Sequence, residues 1–259
     1  MNLLYLSLRN TLLLIALATT NAAFSQDEIT ILVSGAMTRP MTVVAEPFEG
    51  SPETLHLISA TSGDITRRVI AAEPVDLIIV SAAGMDRLIA EGLIVPGTRI
   101  DLARGLMGMG MQPGGIVPDI STPDAFFNTL LEAESLAYVS PAAGGTSGTY
   151  IDGLIDRMGM TEVMRPKVAY QIQGSRVAQA LANGDVQFGI TFISELLPNP
   201  GVQVVGPLPE EIQMPTVYAG GISSTAQNPE LAERVLALLS GDEGREAITA
   251  IGLEALANR

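Results

Sequence analysis

Leu136-Ala-Tyr-Val-Ser-Pro-Ala-Ala-Gly-Gly-Thr-Ser-Gly-Thr-Tyr150 is the stretch on which the fold turns. Its first four residues, 136–139, have the length and apolar character of a short buried strand, and Pro141 ends it. Gly144, Gly145, Thr146, Ser147 and Gly148 follow, and from Tyr150 the pattern Tyr-Ile-Asp-Gly-Leu-Ile-Asp-Arg-Met158 is helical. A strand that feeds such a turn and then a helix is a ready anion site. The first-turn N–H groups of the helix lack intrahelical partners, and the macrodipole places partial positive charge there. Glycines let backbone approach a ligand closely, while Thr146 and Ser147 add hydroxyl donors. The alternative is a capped turn that binds nothing, because Ser and Thr are ordinary N-caps. Two further junctions of the same kind tip the balance toward the anion site.

The first of these lies upstream. Ile29-Thr-Ile-Leu-Val33 is a β-branched run that reads as a buried strand and ends in Ser34-Gly35-Ala36-Met37-Thr38. A second strand at 55–59 ends in Ala60-Thr61-Ser62-Gly63-Asp64, ahead of a helix at 65–72. Pro74 precedes a strand at 75–80, and a helix at 85–91 stops at Gly92. Downstream of residue 106 the alternation resumes. A glycine-rich strand (106–111) and a helix with Pro123 at its first position lead to the opening stretch. Then come a strand at 168–172, a turn at Gly174-Ser175, a helix at 176–181 and a strand at 186–192. Strands at 202–205 and 216–222 and helices at 229–239 and 243–251 complete the chain.

Near-continuous apolar strands alternating with helices predict an α/β protein with mostly parallel sheets flanked by helices. The two runs predict two lobes, 26–105 with 215–259 and 106–214, with a ligand cleft between them. That cleft collects Ser34, Gly35, Thr61 and Ser62 from one lobe, and Gly145, Thr146, Ser147, Gly148, Gly174 and Ser175 from the other.

Composition narrows the function. Fourteen basic against 28 acidic residues give a net charge of −14, and aromatics are 4%, which argues against nucleic acid as a partner. One lysine (Lys167), one histidine (His56) and no cysteine exclude a P-loop lysine, thiolate zinc sites and a Cys nucleophile. No metal-binding constellation is evident, and no cofactor is required. Arg9, the apolar run Leu12-Leu-Leu-Ile-Ala-Leu-Ala18 and the small residues before Gln26 read as a secretory signal over 1–25. The expectation is a soluble, monomeric periplasmic protein.

Five motifs in order carry a family resemblance: Ile29-Thr-Ile-Leu-Val-Ser-Gly-Ala-Met37, Ser59-Ala-Thr-Ser-Gly-Asp-Ile-Thr-Arg67, Glu73-Pro-Val-Asp-Leu-Ile-Ile79, the stretch 140–150, and Gly184-Asp-Val-Gln-Phe-Gly-Ile-Thr-Phe192. Together they resemble the type II periplasmic solute-binding proteins of the molybdate-binding-protein-like family, over essentially the whole mature chain. The resemblance implies two α/β lobes closing on a small anion, often for delivery to the membrane component of an ABC importer. The family holds molybdate with serine hydroxyls, backbone N–H groups and a tyrosine. Ser62 matches one serine, but Ala36 stands where the other is expected, with Ser34 two residues earlier. Ser147 and Ser175 fall at or near backbone-donor positions, and Phe192 replaces the tyrosine. Two hydroxyl donors are missing, at roughly 1.5–3 kcal/mol per charged hydrogen bond, which argues against molybdate. Tyr138-Val-Ser-Pro-Ala-Ala-Gly-Gly-Thr-Ser-Gly148 with Ile193-Ser-Glu-Leu196 and Val205-Gly-Pro-Leu-Pro209 looks like a separate branch that includes periplasmic aconitate isomerases. The ligand so implied is an organic di- or tricarboxylate.

Arg39 and Arg176 each follow an anion-type turn, and an arginine fork matches a carboxylate bidentately. The alternative for each is a surface cation among many acids. The reading is a solute-binding-fold protein that captures a small carboxylate anion, with an aconitate isomerase as the alternative. A binding protein needs only donors and a hinge; an isomerase moving an allylic proton also needs a base. Candidates for the base are Glu195, His56, Tyr150 and Tyr218, with Glu195 placed just beyond a strand near the expected cleft.

Overall fold

The computed structural model describes residues 28–257, so the expected signal segment, 1–25, lies outside the described residues. Strands β1 (Glu28–Ser34), β2 (Thr54–Ala60), β3 (Leu77–Ser81) and β4 (Ile100–Gly105) begin one sheet. Strands β5 (Met107–Met111), β6 (Leu136–Val139), β7 (Val168–Gln171), β8 (Phe188–Phe192) and β9 (Gln203–Pro207) form a second. The chain then returns to the first sheet with β10 (Thr216–Ile222) and β11 (Glu254–Ala255). The orders are β11-β4-β10-β3-β1-β2 and β7-β6-β8-β5-β9, so the chain crosses between sheets after Gly105 and again after Pro207.

The α/β, two-lobed class is as expected, but both sheets are mixed. β1 pairs in parallel with β2 and β3, and β6 with β7 and β8. The remaining five of nine pairings are antiparallel, all involving β5 or β10, the strands that enter after a crossing, or β11 at the edge. An apolar run reports burial on both faces and is silent on direction, so the sequence pattern could not distinguish these strands.

Alternation sorts the side chains. Ile29, Ile31 and Val33 of β1 join a core that continues through both lobes to Phe126, Tyr138 and Ile190, whereas Leu32 faces a separate cluster with Ile65 and Ile78. Each fully buried aliphatic side chain contributes about 1.5–3 kcal/mol. Helices flank the sheets: α1 (Thr38–Ala45), α2 (Ser62–Ile70), α3 (Ala82–Ala90), α4 (Pro123–Glu132), α5 (Thr146–Arg157), α6 (Thr161–Met164), α7 (Gly174–Asn183), α8 (Ile193–Leu196), α9 (Pro229–Ser240) and α10 (Asp242–Ala250). Three of them, α2, α5 and α7, start two to four residues earlier than the apolar periodicity suggests. Their first turns are built from Ser, Thr and Gly, residues with weak helix propensity that favour termini. Consequently Ser62, Thr146 and Gly174 are the first residues of helices, and their N–H groups belong to the partnerless first turn.

Candidate functional site

Those three helix starts meet. Ser34, Gly35, Ala36, Thr61 and Ser62 from the first sheet's lobe face Gly145, Thr146, Ser147, Gln173, Gly174, Phe192 and Glu195 from the second, around a narrow, nearly closed crevice of about 20 Å³ that Tyr218 also lines. It lies at the carboxyl ends of β1 and β2 in one lobe and β6 and β8 in the other, where helix N-termini supply partial positive charge.

Hydroxyl geometry decides which donors are free. Ser62 Oγ accepts the Ser81 N–H at 3.0 Å and donates its own proton to Ser34 Oγ at 3.0 Å. The hydroxyl hydrogen left over to point at a guest is therefore that of Ser34. Thr61 caps α2, accepting the Asp64 N–H at 3.2 Å, and its hydroxyl donates across to the Ala143 carbonyl. The Gly63 N–H donates to the Gly144 carbonyl at 3.0 Å, a second bond between the lobes.

Glu195, on the short α8, dominates the electrostatics. Thr191 Oγ1 donates to its Oε2 at 2.6 Å, and the N–H groups of Phe192 and Gly174 are directed at it. Since Thr191 spends its one proton there, the 3.3 Å contact between Ser147 and Thr191 must run with Ser147 donating. These bonds favour the carboxylate, yet desolvation outweighs them and pushes Glu195 up to about 7. The side chain keeps some accessible surface, on the crevice it lines, while protein crowds it closely. Gly174 and Gly35 make room for it: a Cβ at Gly174 would fall 2.0 Å from Oε2, and one at Gly35, in the opposite lobe, 2.5 Å from Oε1. Only glycine permits that approach. Tyr218 is buried beside it, edge-on to Phe192 at 5.6 Å; burial first, and then the Glu195 charge, raises the phenol well above its ordinary value. A neutral phenol at neutral pH is a fixed donor.

The other sequence candidates lie elsewhere. Gly148 is buried behind the crevice, where a Cβ would collide with the Val139 carbonyl, so its role is to let α5 pack on β6. Arg39, Ser175 and Arg176 are exposed and do not line the crevice. They are the second or third residues of their helices, and each step of about 100° turns a side chain away from the direction in which the terminus points. His56 sits half-exposed on β2, 3.8 Å from Glu28. The Tyr150 hydroxyl donates to the Ile212 carbonyl at 2.8 Å and lines a neighbouring crevice. Sequence reasoning missed Gln173 and Thr191; the Gly-Ile-Thr-Phe motif contained the threonine, but nothing in it announced a contact four residues on.

Residues 29–254 match the bacterial extracellular solute-binding protein family. The aconitate isomerase of Pseudomonas sp is 32% identical over 249 residues, covering 93% of each chain. The molybdate-binding protein of Escherichia coli (strain K12) is 26% identical over 204 residues, 76% of this chain and 78% of that one. Among solved structures, the periplasmic molybdate-binding protein of Azotobacter vinelandii superposes with a TM-score of 0.71 at 14% identity, over 89% of this chain and 100% of the other. The chain belongs to the bacterial extracellular solute-binding protein family, in its molybdate-binding-like group.

Proposed function

We propose that the crevice captures a small organic polycarboxylate of the aconitate class and that Glu195 moves a proton between two of its carbons, interconverting cis- and trans-aconitate in the periplasm. One observation carries the reading: a carboxyl group held near 7 inside a pocket otherwise built to attract anions. Such a group opposes a bare tetrahedral oxyanion by charge repulsion, and it suits acid–base work, since both protonation states are populated at neutral pH. The likeness to the Pseudomonas aconitate isomerase supports the same substrate class.

The step balances without a cofactor. Glu195 as carboxylate takes a proton from the methylene carbon, the double bond shifts by one position, and the carboxylic acid so formed returns the proton to the former vinyl carbon. Between the two transfers the substrate carries enolate-like charge. The Tyr218 phenol, the Ser34 hydroxyl, the Ser62 N–H and the first-turn N–H groups of α5 are the donors available to hold it.

A second reading, a binding protein that hands the same anion to an ABC importer, is favoured by the two hydrogen bonds that join the lobes, because a closing clamp is all that a carrier needs. Ultraviolet absorbance separates the two. Mature protein with cis-aconitate should drive it toward the equilibrium mixture, and Glu195→Gln should lower kcat by about 100-fold or more. A raised melting temperature with aconitate but no interconversion would sink the isomerase and leave the carrier.

A further inference from the structure

A second, larger crevice of about 640 Å³ opens on the other side of the contact between Gly63 and Gly144, bounded by α2 and α3 of one lobe and α5 of the other. Its lining includes Arg67, Arg87 and Arg157 and contains no Asp or Glu. In a chain with 28 acidic and 14 basic residues, three cations around one opening with no carboxylate among them form a pronounced local positive field.

Two of the three have no acidic partner to neutralise them. Arg87 and Arg157 make no ion pair among the described residues, whereas Arg67 bonds Asp64, itself outside the lining, at 3.0 Å. Arg157 is preorganised: its guanidinium stacks 5.7 Å from the centroid of the Tyr150 ring, which the bond to Ile212 holds in place. Arg67 reaches toward the opposite lobe, its Nη1 lying 2.8 Å from where a Cβ on Gly144 would stand. Ser62 and Thr146 line both crevices, so the two spaces meet at the first turns of α2 and α5.

We propose that this arginine-lined crevice is a separate binding site for a tricarboxylate, one that receives the anion from solution before the lobes close over Glu195. Planar guanidinium groups recognise carboxylates bidentately, and cations on both lobes match an anion whose carboxylates are spread over several carbons. The Glu195 crevice offers hydroxyls and N–H groups but no cation, so the two sites divide attraction from chemistry. The inference deepens the substrate class proposed above and rests on it for the link to turnover, but its test does not.

Citrate, a tricarboxylate that lacks the allylic proton, is the probe. Calorimetric titration of the wild-type protein, Arg87→Gln, Arg157→Gln and the double variant should show citrate affinity falling at least tenfold in the double variant. The wild-type affinity should also drop steeply with added salt, while melting temperatures stay within a few degrees, as expected for exposed side chains. Equal citrate affinity in wild type and double variant overturns the proposal, as does an absence of citrate binding to the wild type, or tighter binding of inorganic phosphate than of citrate. If citrate binds through the arginines while the aconitates are not interconverted, this site stands and the isomerase reading falls.

Discussion

Glu195 is the residue at which stability and the proposed chemistry pull in opposite directions. Its carboxyl titrates near 7 in the folded chain against an ordinary 4.5, because burial outweighs the donors around it. Below 4.5 it is protonated whether folded or not and brings no pH dependence. Between 4.5 and 7 the unfolded chain releases the proton that the folded chain retains, so stability falls as pH rises through that window, and the deficit persists above it. The gap corresponds to a penalty of up to roughly 3 kcal/mol, less where water in the crevice screens the charge. Glu195→Gln removes this titration. Urea unfolding of both proteins across this range should show the variant gaining on wild type as pH rises and holding a constant lead above about pH 7. Parallel curves would mean that the carboxyl is not desolvated. Catalytic rate should follow the other limb, rising as the carboxylate appears. The sequence drew attention to Glu195 because it follows an apolar strand, but its environment comes from Gly174 and Gly35, which are 21 and 160 positions away and meet it only in the closed fold.

At the scale of elements, Asp76 shows how a motif in the sequence becomes a joint. It lies in Glu73-Pro-Val-Asp-Leu-Ile-Ile79 and is buried just before β3. Its Oδ2 accepts the Thr30 N–H at 2.8 Å, and its Oδ1 accepts the N–H groups of Gln227 at 2.6 Å and Asn228 at 3.1 Å. One carboxylate thus fastens β1 and the start of α9, bringing the C-terminal helices back to the first sheet. Asp76→Ala strands three N–H groups and should destabilise the fold by about 3 kcal/mol or more, read as a lower urea midpoint with unchanged slope. A loss below about 1 kcal/mol would show that water replaces the carboxylate. Strands with unbroken apolar runs, such as β3 and β6, were legible because burial on both faces leaves no polar interruption. β4 was not: Ile-Asp-Leu-Ala-Arg-Gly buries only part of itself, and its charges resemble a loop. The four-residue α8, which carries Glu195, is too short to show any period.

The whole molecule is two lobes joined by two chain crossings and by a shared apolar core, and a small set of contacts closes them around the crevice. The Thr61 hydroxyl and Gly63 N–H bond the Ala143 and Gly144 carbonyls, Phe192 packs on Tyr218, and Glu195 presses on Gly35. Every one of them joins a residue of one sheet's lobe to a residue of the other, so under the proposed function a guest entering the crevice parts them and then gains by their return. Gly63 is the most sensitive position, because a Cβ there would lie 2.6 Å from the Gly144 carbonyl oxygen and 2.9 Å from its Cα, atoms of backbone that cannot swing aside. Gly63→Ala leaves each sheet and its helices untouched, and its unfolding midpoint should stay close to wild type. Closure, by contrast, loses at least one interlobe bond, on the order of 1 kcal/mol, and adds the steric conflict. The expected result is a larger radius of gyration by small-angle scattering in the presence of cis-aconitate, and affinity weakened about tenfold or more. If Gly63→Ala binds as tightly and scatters as compactly as wild type, the lobes close by another route. The bonds at 61–63 and 143–144 would then be a consequence of closure rather than part of what drives it.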